Sequence, residues 1–243
     1  MIPAFNEERR LPQTLDKVLA YLETSERSSE VIVVDDGSSD GTCTIAEDFA
    51  RKNPRVRLLR NTARDLGKGS AIRMGMLDAR GQWVLFSDAD LSAPIEEVAK
   101  LLEAIRKHDA HVAIGSRALD RSLIGVHQSW ARENAGRLFN VLMRIIVGLP
   151  FWDTQCGFKL YRADVGREVF ERQKIPGFGF DVEALYLARR LGFKTVEVPV
   201  RWDHADGTKL DMFGDSARMF FDLLRVRWNS LTGAYRLTST SRR

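Results

Sequence analysis

Asp88 and Asp90 are the residues with the clearest capacity for chemistry, because they follow the apolar segment 83–86 and are separated by one small residue. Two carboxylates at the end of a strand can both turn toward one divalent cation, and the cation can then hold a diphosphate. A polar strand-to-helix turn capped by aspartate has the same composition. The triplet therefore predicts a metal-assisted nucleotide site, with a capping turn as the alternative.

A second acidic segment upstream favours the nucleotide site. The apolar run at 31–34 leads directly into Asp35 and Asp36. When two strands of one sheet both end in carboxylates, these side chains meet at a common edge, where α/β proteins bind their ligands. We therefore expect one binding site built from the ends of both strands.

The spacing of apolar residues predicts the elements that position these carboxylates. Leu11, Leu15, Val18 and Leu22 recur on one helix face, so a helix is expected at 8–24. The same reasoning predicts helices at 42–52, 70–79, 95–106, 165–171 and 181–191, strands at 31–34, 56–59, 82–86, 111–115, 157–161 and 194–201, and a loop at 67–69. This alternation predicts an α/β fold with a mostly parallel sheet flanked by helices.

Length and composition set the broad class. The 243 residues, 44% hydrophobic and 29% charged, suffice for one large domain with a full core. The two cysteines, Cys43 and Cys156, lie far apart and indicate neither a disulfide framework nor a zinc cluster, so a reducing, cytoplasmic setting is expected. We find no signal peptide and no apolar run of the roughly 20 residues that a spanning helix needs.

The C-terminal segment 211–243 carries most of the charge asymmetry. The net charge is only +4, yet residues 218–243 contain six arginines and one acidic residue, Asp222. Apolar and aromatic residues recur there at helical spacing, which predicts an amphipathic helix. Its aromatic residues favour packing on the core or binding to anionic lipid over binding to nucleic acid.

The stretch 138–149 has the same two interpretations, a core helix or a helix on a membrane face with Phe151 and Trp152 at the interface.

Four segments resemble, in order and spacing, the family 2 glycosyltransferases of the GT-A (Rossmann-like) fold: IPAFNEE at 2–8, VVDDGS at 33–38, LGKG at 66–69 and SDAD at 87–90. Three later segments are similar to the dolichyl-phosphate β-glucosyltransferases and related polyprenyl-phosphate glycosyltransferases: DTQCGFK at 153–159, FDVE at 180–183 and TKL at 208–210. The resemblance implies one GT-A domain over 1–243, with a nucleotide-sugar half at 1–116, an acceptor half at 117–210 and the amphipathic basic segment at 211–243. Residues 1–8 resemble the tail of a first strand, so either that strand is short or the start site lies further upstream.

The resemblance also implies substrates and site residues. The expected donor is a nucleotide-sugar such as UDP-glucose, with Mg²⁺ or Mn²⁺ as cofactor and a polyprenyl phosphate as acceptor. The protein would be peripheral on the cytoplasmic face of the membrane, with GDP-mannose or a saccharide hydroxyl as alternative substrates. Residues matching the donor site are Pro3, Phe5 and Glu7, which frame the nucleotide, Asp36, which reads the base, Lys68, which approaches ribose or phosphate, and Asp88 and Asp90, which bind metal and ribose. Lys209 matches the cation that binds the leaving diphosphate. For Lys68, the alternative is a solvated lysine in a loop.

The acceptor determines which other side chains take part. A phosphate monoester has a second pKa near 6, so the enzyme must hold it rather than deprotonate it, and arginine suits that task. Arg117 and Arg132 are our candidates, and either could instead be a surface residue. Asp153 and Asp181 would orient the acceptor, stabilise the oxocarbenium-like carbon, or serve only as caps or ion-pair partners; a hydroxyl acceptor would need one of them as base. A nucleotide-binding subunit without catalysis also fits the fold.

Overall fold

The computed structural model describes residues 1–25, 27–62, 67–126, 141, 143–204 and 214–236. The strands within these residues are β1 (Ile2–Ala4), β2 (Val31–Asp35), β3 (Val56–Arg60), β4 (Trp83–Ser87), β5 (Val112–Ser116), β6 (Ile124–Val126), β7 (Phe158–Arg162), β8 (Thr195–Pro199) and β9 (Trp202–Asp203). The helices are α1 (Leu11–Glu23), α2 (Thr42–Lys52), α3 (Lys68–Asp78), α4 (Val98–His108), α5 (Ala163–Arg172), α6 (Phe180–Arg190) and α7 (Gly214–Leu231).

The described strands form three sheets: a small parallel pair, β6 and β9, and two larger sheets that meet side by side. In the first larger sheet, β2 lies between β1 and β3, and all three are parallel; in the second the order is β4-β7-β5-β8. The Ser87 N–H donates to the Met1 carbonyl over 3.1 Å, which places β4 next to β1. Strand β7 runs antiparallel to both β4 and β5, whereas β5 and β8 are parallel. The α/β fold with a mostly parallel sheet flanked by helices is therefore confirmed, with β7 as its reversed strand.

Helices cover both faces of this sheet, which explains the uninterrupted apolar strands. All five residues of β2 are buried, and so are all five of β5. Because side chains alternate along a strand, Ile32 packs in the core cluster shared with α3, α5 and α6, whereas Val31 packs against α1. Parallel strands with this environment are apolar at every position.

The start of α3 differs from the sequence prediction. We expected 67–69 to be a loop, but the helix begins at Lys68. The two flanking glycines let the backbone approach the segment 175–177 closely. A Cβ atom on Gly67 would lie 2.6 Å from the Pro176 carbonyl oxygen, and one on Gly69 would lie 2.7 Å from the Ile175 carbonyl oxygen. The glycines therefore allow close packing of the first helical turn rather than marking a loop.

The predicted C-terminal amphipathic helix is confirmed as α7, and it has two apolar faces. Leu223 and Val226 are fully buried in the main core cluster. Phe221, Trp228 and Leu231 point outward, with 67%, 67% and 80% of their surface exposed. Packing on the core, one of the two interpretations, is therefore observed for one face of α7, and the other face is left uncovered by the described residues.

The described part of the stretch 138–149 also packs on the core. Residues 143–147 are helical, with Met143 and Val147 buried and Ile145 exposed. Positions 138–140 and 142 lie outside the described residues. None of the described helices combines the length and the low charge content that a bilayer-crossing segment requires.

Candidate functional site

The acidic residues predicted from the sequence lie at one edge of the sheet. Asp36 follows β2 and Asp88 follows β4, and β1 lies between these two strands. The Asp36 N–H donates to the Ala4 carbonyl at the end of β1 over 2.8 Å. The carboxyl ends of three neighbouring strands therefore lie side by side at one edge of the sheet.

Asp36 is held in a polar pocket below this edge. Asn61, which follows β3, donates from Nδ2 to Asp36 Oδ1 over 2.7 Å and to Ser70 Oγ over 3.2 Å. Burial raises the pKa of Asp36, and the bonds from Asn61 and the Gly67 N–H counteract part of that rise. Asp35 has a different role, because its carboxylate accepts the Gly37 and Ser38 N–H groups in the turn. Of the two neighbouring acids, Asp36 is the one directed to the site.

The segment after β1 forms one wall beside Asp36. Pro3 lies in β1, and Phe5 follows it with 48% of its surface exposed. The Glu7 N–H donates to Thr42 Oγ1 over 2.7 Å, and the Glu7 carboxylate pairs with Arg10 at 3.0 Å. These contacts fasten the segment to the start of α2 and leave the Phe5 ring at the surface.

Lys68 joins the Asp36 pocket to the Asp-Ala-Asp turn. Its ammonium lies 2.7 Å from Asp88 Oδ1, and the two side chains are 22% and 31% exposed. The rings of Phe86 and Phe178 lie 5.5 and 5.9 Å from the same nitrogen. Asp88 raises the pKa of Lys68 although burial opposes this, so Lys68 is a paired cation. The alternative of a solvated loop lysine is therefore wrong.

Asp88 and Asp90 lie in a tight turn and carry the carboxylates of the predicted metal site. The Asp88 N–H donates to the Gly157 carbonyl over 3.0 Å, and a Cβ atom at Gly157 would overlap the Asp88 carboxylate. Asp90 Oδ1 accepts the Ser92 N–H over 3.0 Å. The Asp88 carboxylate already holds a positive group, the Lys68 ammonium, and both aspartates offer the oxygen ligands that Mg²⁺ and Mn²⁺ prefer. The described residues contain no cluster of three or more metal-binding side chains, so such an ion would take further oxygens from its substrate or water.

Asp153 and Arg117 form a bidentate pair in which Asp153 is buried and Arg117, which follows β5, is partly exposed. Arg117 donates from Nε to Asp153 Oδ2 over 2.6 Å and from Nη2 to Oδ1 over 2.8 Å. Burial would raise the pKa of Asp153, but the Arg117 guanidinium lowers it to about 2. Asp153 is 2% exposed. It is thus an ionised counter-ion that holds Arg117 in place beside Trp202, whose ring centroid lies 5.3 Å from the guanidinium.

Asp181 is paired with a lysine that we did not predict. Lys159 Nζ lies 2.6 Å from Asp181 Oδ1 and also donates to the Cys156 carbonyl over 2.6 Å. The side chains are 1% and 7% exposed. Burial raises the pKa of Asp181, and Lys159 and Lys68 counteract this.

The structure brings together most of the predicted residues and adds others. Arg132 and Lys209 lie outside the described residues. Asn61 and Lys159 were missed, and each had a signal in the sequence. Asn61 lies two residues after the predicted strand at 56–59, and Lys159 interrupts an apolar strand, where a charge requires a buried partner.

Comparisons with known proteins identify the family of this chain. The model of the family described as glycosyl transferase family 2 matches residues 1–170. A dolichyl-phosphate beta-glucosyltransferase of Drosophila melanogaster is 39% identical over 256 residues, which cover 100% of this chain and 78% of that protein. The human enzyme of the same name is 36% identical, covering 99% of this chain and 78% of its own length.

Solved structures show the same fold. Glucosyl-3-phosphoglycerate synthase from Mycobacterium tuberculosis, in complex with UDP, superimposes with a TM-score of 0.67 at 20% identity, covering 93% of this chain and 78% of that one. The same enzyme with Mn²⁺ and UDP-glucose gives a TM-score of 0.65 at 20% identity, covering 93% and 77%. The chain therefore belongs to glycosyl transferase family 2 and is a glycosyltransferase of the GT-A fold.

Proposed function

We propose that this glycosyltransferase transfers glucose from UDP-glucose to dolichyl phosphate or another polyprenyl phosphate, with inversion at the anomeric carbon. The observation that carries the proposal is the gathering of Asp36, Lys68, Asp88 and Asp90 at one edge of the sheet. The names of the full-length relatives support the reaction, and UDP-glucose and Mn²⁺ are bound by a structural neighbour.

The donor would bind along the edge from Asp36 to Asp90. Asp36, held by Asn61, would accept a hydrogen bond from the base, and Pro3, Phe5 and Glu7 would frame the nucleotide. Asp88 and Asp90 would hold Mg²⁺ or Mn²⁺, which stabilises the charge that grows on the leaving diphosphate. Lys68 would contact the same phosphates, and Lys209 remains a further candidate for that contact.

The acceptor side favours a nucleophile that is already an anion. A hydroxyl acceptor would need a carboxylate base, but Asp153 is buried and holds Arg117, and Asp181 is buried and holds Lys159. A phosphate monoester needs no base at neutral pH, since its second pKa is near 6. Arg117, fixed through Nε and Nη2, would present the rest of its guanidinium to that phosphate, together with Arg132. The saccharide hydroxyl is therefore the less supported acceptor.

The exposed face of α7 would dock the enzyme on a membrane surface, and we propose the cytoplasmic face. Phe221, Leu224, Trp228 and Leu231 recur at helical spacing and are all exposed. Arg225 and Arg227 lie on the same helix, and apolar side chains combined with arginines suit an anionic lipid surface. A lipid-linked acceptor would be presented there.

Transfer of labelled glucose to polyprenyl phosphate tests the reaction directly. The wild type should form a product that mild acid cleaves, and Asp90→Asn should lower transfer by about 100-fold or more, since the variant loses a charged metal ligand. Asp164→Asn removes a surface aspartate paired with Arg162 and serves as the matched control. An acid-stable product, or unchanged transfer by Asp90→Asn, would contradict the proposal.

Thermal unfolding with different nucleotide-sugars tests the donor. A ligand that binds only the folded protein raises the unfolding midpoint. With Mn²⁺ present, UDP-glucose should raise the midpoint more than GDP-mannose does. The reverse order would favour GDP-mannose as the donor.

Vesicle binding tests the membrane face. Truncation of α7 would remove buried Leu223 and Val226, so substitutions on its outer face are preferable. Phe221→Ser combined with Trp228→Ser should weaken sedimentation with anionic vesicles, and added salt should weaken binding of the wild type. Leu119→Ser, at an exposed apolar residue on another segment, is the control. If the double variant binds vesicles normally but changes from dimer to monomer, α7 covers a second copy of the chain instead.

A further inference from the structure

The carboxylate assigned to the metal already has a cation beside it. Lys68 Nζ lies 2.7 Å from Asp88 Oδ1, on an oxygen that a divalent cation would use. A lysine ammonium and a divalent cation repel each other at such separations. Binding of the metal to Asp88 would therefore require the ammonium to move away.

The backbone of Lys68 is fixed, so only its side chain can respond. The Ser70 N–H donates to the Pro176 carbonyl over 3.1 Å, and Gln173 Nε2 donates to the Gly69 carbonyl over 3.0 Å. The glycines on both sides of Lys68 touch the segment 175–177 without room for a Cβ atom. The first turn of α3 is thus clamped, and the ammonium can relocate only within the reach of its own side chain.

Two other carboxylates, Asp181 and Asp90, lie within electrostatic range of the Lys68 ammonium, and Asp90 would bind the same metal. Asp181 is already neutralised by Lys159 at 2.6 Å. The rings of Phe86 and Phe178 face the ammonium, yet they supply no full negative charge. A partly buried cation without a counter-charge is unfavourable. Without a nucleotide, binding of the metal to Asp88 would therefore leave the Lys68 ammonium without a counter-charge.

We propose that Lys68 is an internal counter-ion of Asp88. The divalent cation displaces the Lys68 ammonium from Asp88, and the ammonium then pairs with the donor diphosphate. This inference rests on the proposed function, because it uses the same metal and donor. Its consequence is that metal and nucleotide each bind weakly alone and strengthen one another. Such coupling is reciprocal, so the factor by which the nucleotide raises metal affinity equals the factor by which the metal raises nucleotide affinity.

Titration of the purified protein with Mn²⁺ measures this coupling without turnover. Binding is monitored by calorimetry and by the electron paramagnetic resonance signal of free Mn²⁺. Lys68→Met removes the internal cation and should bind Mn²⁺ alone about tenfold more tightly than the wild type, which corresponds to about 1.4 kcal/mol. UDP should then raise the Mn²⁺ affinity of Lys68→Met less than it raises that of the wild type. Lys68→Arg keeps the charge and should resemble the wild type.

Lys100→Met is the matched control, since Lys100 also pairs with a carboxylate, Glu97, at 2.7 Å but lies on α4. It should leave Mn²⁺ binding unchanged. If Lys68→Met unfolds, Lys68→Gln provides the same test with a polar side chain. Suppose that the wild type transfers glucose but Lys68→Met binds Mn²⁺ alone no more tightly than the wild type does. That result would overturn the counter-ion role only. A wild type that binds Mn²⁺ neither alone nor with UDP would overturn both this inference and the proposed function.

Discussion

Two lysine–aspartate pairs flank the ring of Phe86, and their surroundings differ. The charged atoms are 2.7 Å apart in Lys68–Asp88 and 2.6 Å apart in Lys159–Asp181. The two ammonium groups lie 5.5 and 5.4 Å from the centre of the ring. The first pair is 22% and 31% exposed, and the second only 1% and 7%. The same chemistry can thus form an exchangeable pair at the mouth of the site and a permanent one below it.

The position of each pair in the fold explains the difference. Lys159 lies in β7, and its ammonium is held beneath the sheet surface by Asp181 and the Phe86 ring, so the side chain is only 1% exposed. Lys68 lies in the first turn of α3, at the open edge of the sheet. Breaking a buried pair leaves an uncompensated charge, whereas an exposed charge is hydrated. The comparison therefore predicts very different costs for similar substitutions.

Lys159→Met should have the largest effect on stability. The substitution leaves Asp181 buried without its partner, which costs about 3–5 kcal/mol of unfolding free energy. Lys68→Met should cost less, about 1 kcal/mol, because its pair is partly exposed. Urea denaturation of both variants measures the two values.

A double variant checks the cause of that loss. Replacing Lys159 by Met and Asp181 by Leu removes both charges and should recover much of the stability. A double variant as unstable as Lys159→Met would show that packing of the lysine stem, and not the unpaired carboxylate, sets the cost.

Gly157→Ala should break the exchangeable pair without touching the buried one. A Cβ atom there would overlap the Asp88 carboxylate and turn it away from Lys68. We expect glucosyl transfer to fall at least tenfold, with a loss of stability of about 1–3 kcal/mol from overpacking. Gly177→Ala is the control, since a Cβ atom on Gly177 meets nothing within 4 Å. Equal activities of the two variants would contradict the placement of Asp88.

The Arg117–Asp153 pair extends the comparison to pH. The folded-state pKa of Asp153 is about 2, below its ordinary value of 3.8. The stability from this pair is therefore complete above about pH 4 and is lost as the pH falls toward 2, an effect of about 2 kcal/mol. Unfolding free energies of the wild type and Asp153→Asn, measured from pH 5 to pH 2, should converge. Parallel curves would show that Asp153 is not selectively stabilised as a carboxylate.

Lys100→Met should have the smallest effect. Lys100 pairs with Glu97 at 2.7 Å, and the lysine side chain is 46% exposed. Exposed pairs of this kind contribute about 0.3–0.5 kcal/mol. A shift of the urea midpoint larger than that of Lys68→Met would contradict the order expected from exposure.

Much of the donor half could be predicted because its signals are local. An apolar segment followed directly by carboxylates, as at Asp36 and Asp88, predicts a strand and also predicts the sheet edge at which the carboxylates lie. The polar pairs were less predictable, because they join distant segments. Arg117 and Asp153 are 36 residues apart, and Asn61 and Asp36 are 25 apart, so no local pattern connects them.

The prediction of a loop at Gly67 and Gly69 failed for the same reason. The glycines are explained by the segment 175–177, which packs against them and which follows more than a hundred residues later. In isolation the pattern has the composition of a loop. Only the tertiary contact shows that the helix begins at Lys68.

The sequence by itself determined the alternation of strands and helices, the mostly parallel sheet and the edge at which the acids gather, because each depends on short-range periodicity. The tertiary structure decided which charges are paired and how deeply they are buried. It made Lys68 a partner of Asp88 and Lys159 a partner of Asp181. The energy of an ion pair depends on how deeply it is buried, and its burial is determined only when the whole sheet is assembled.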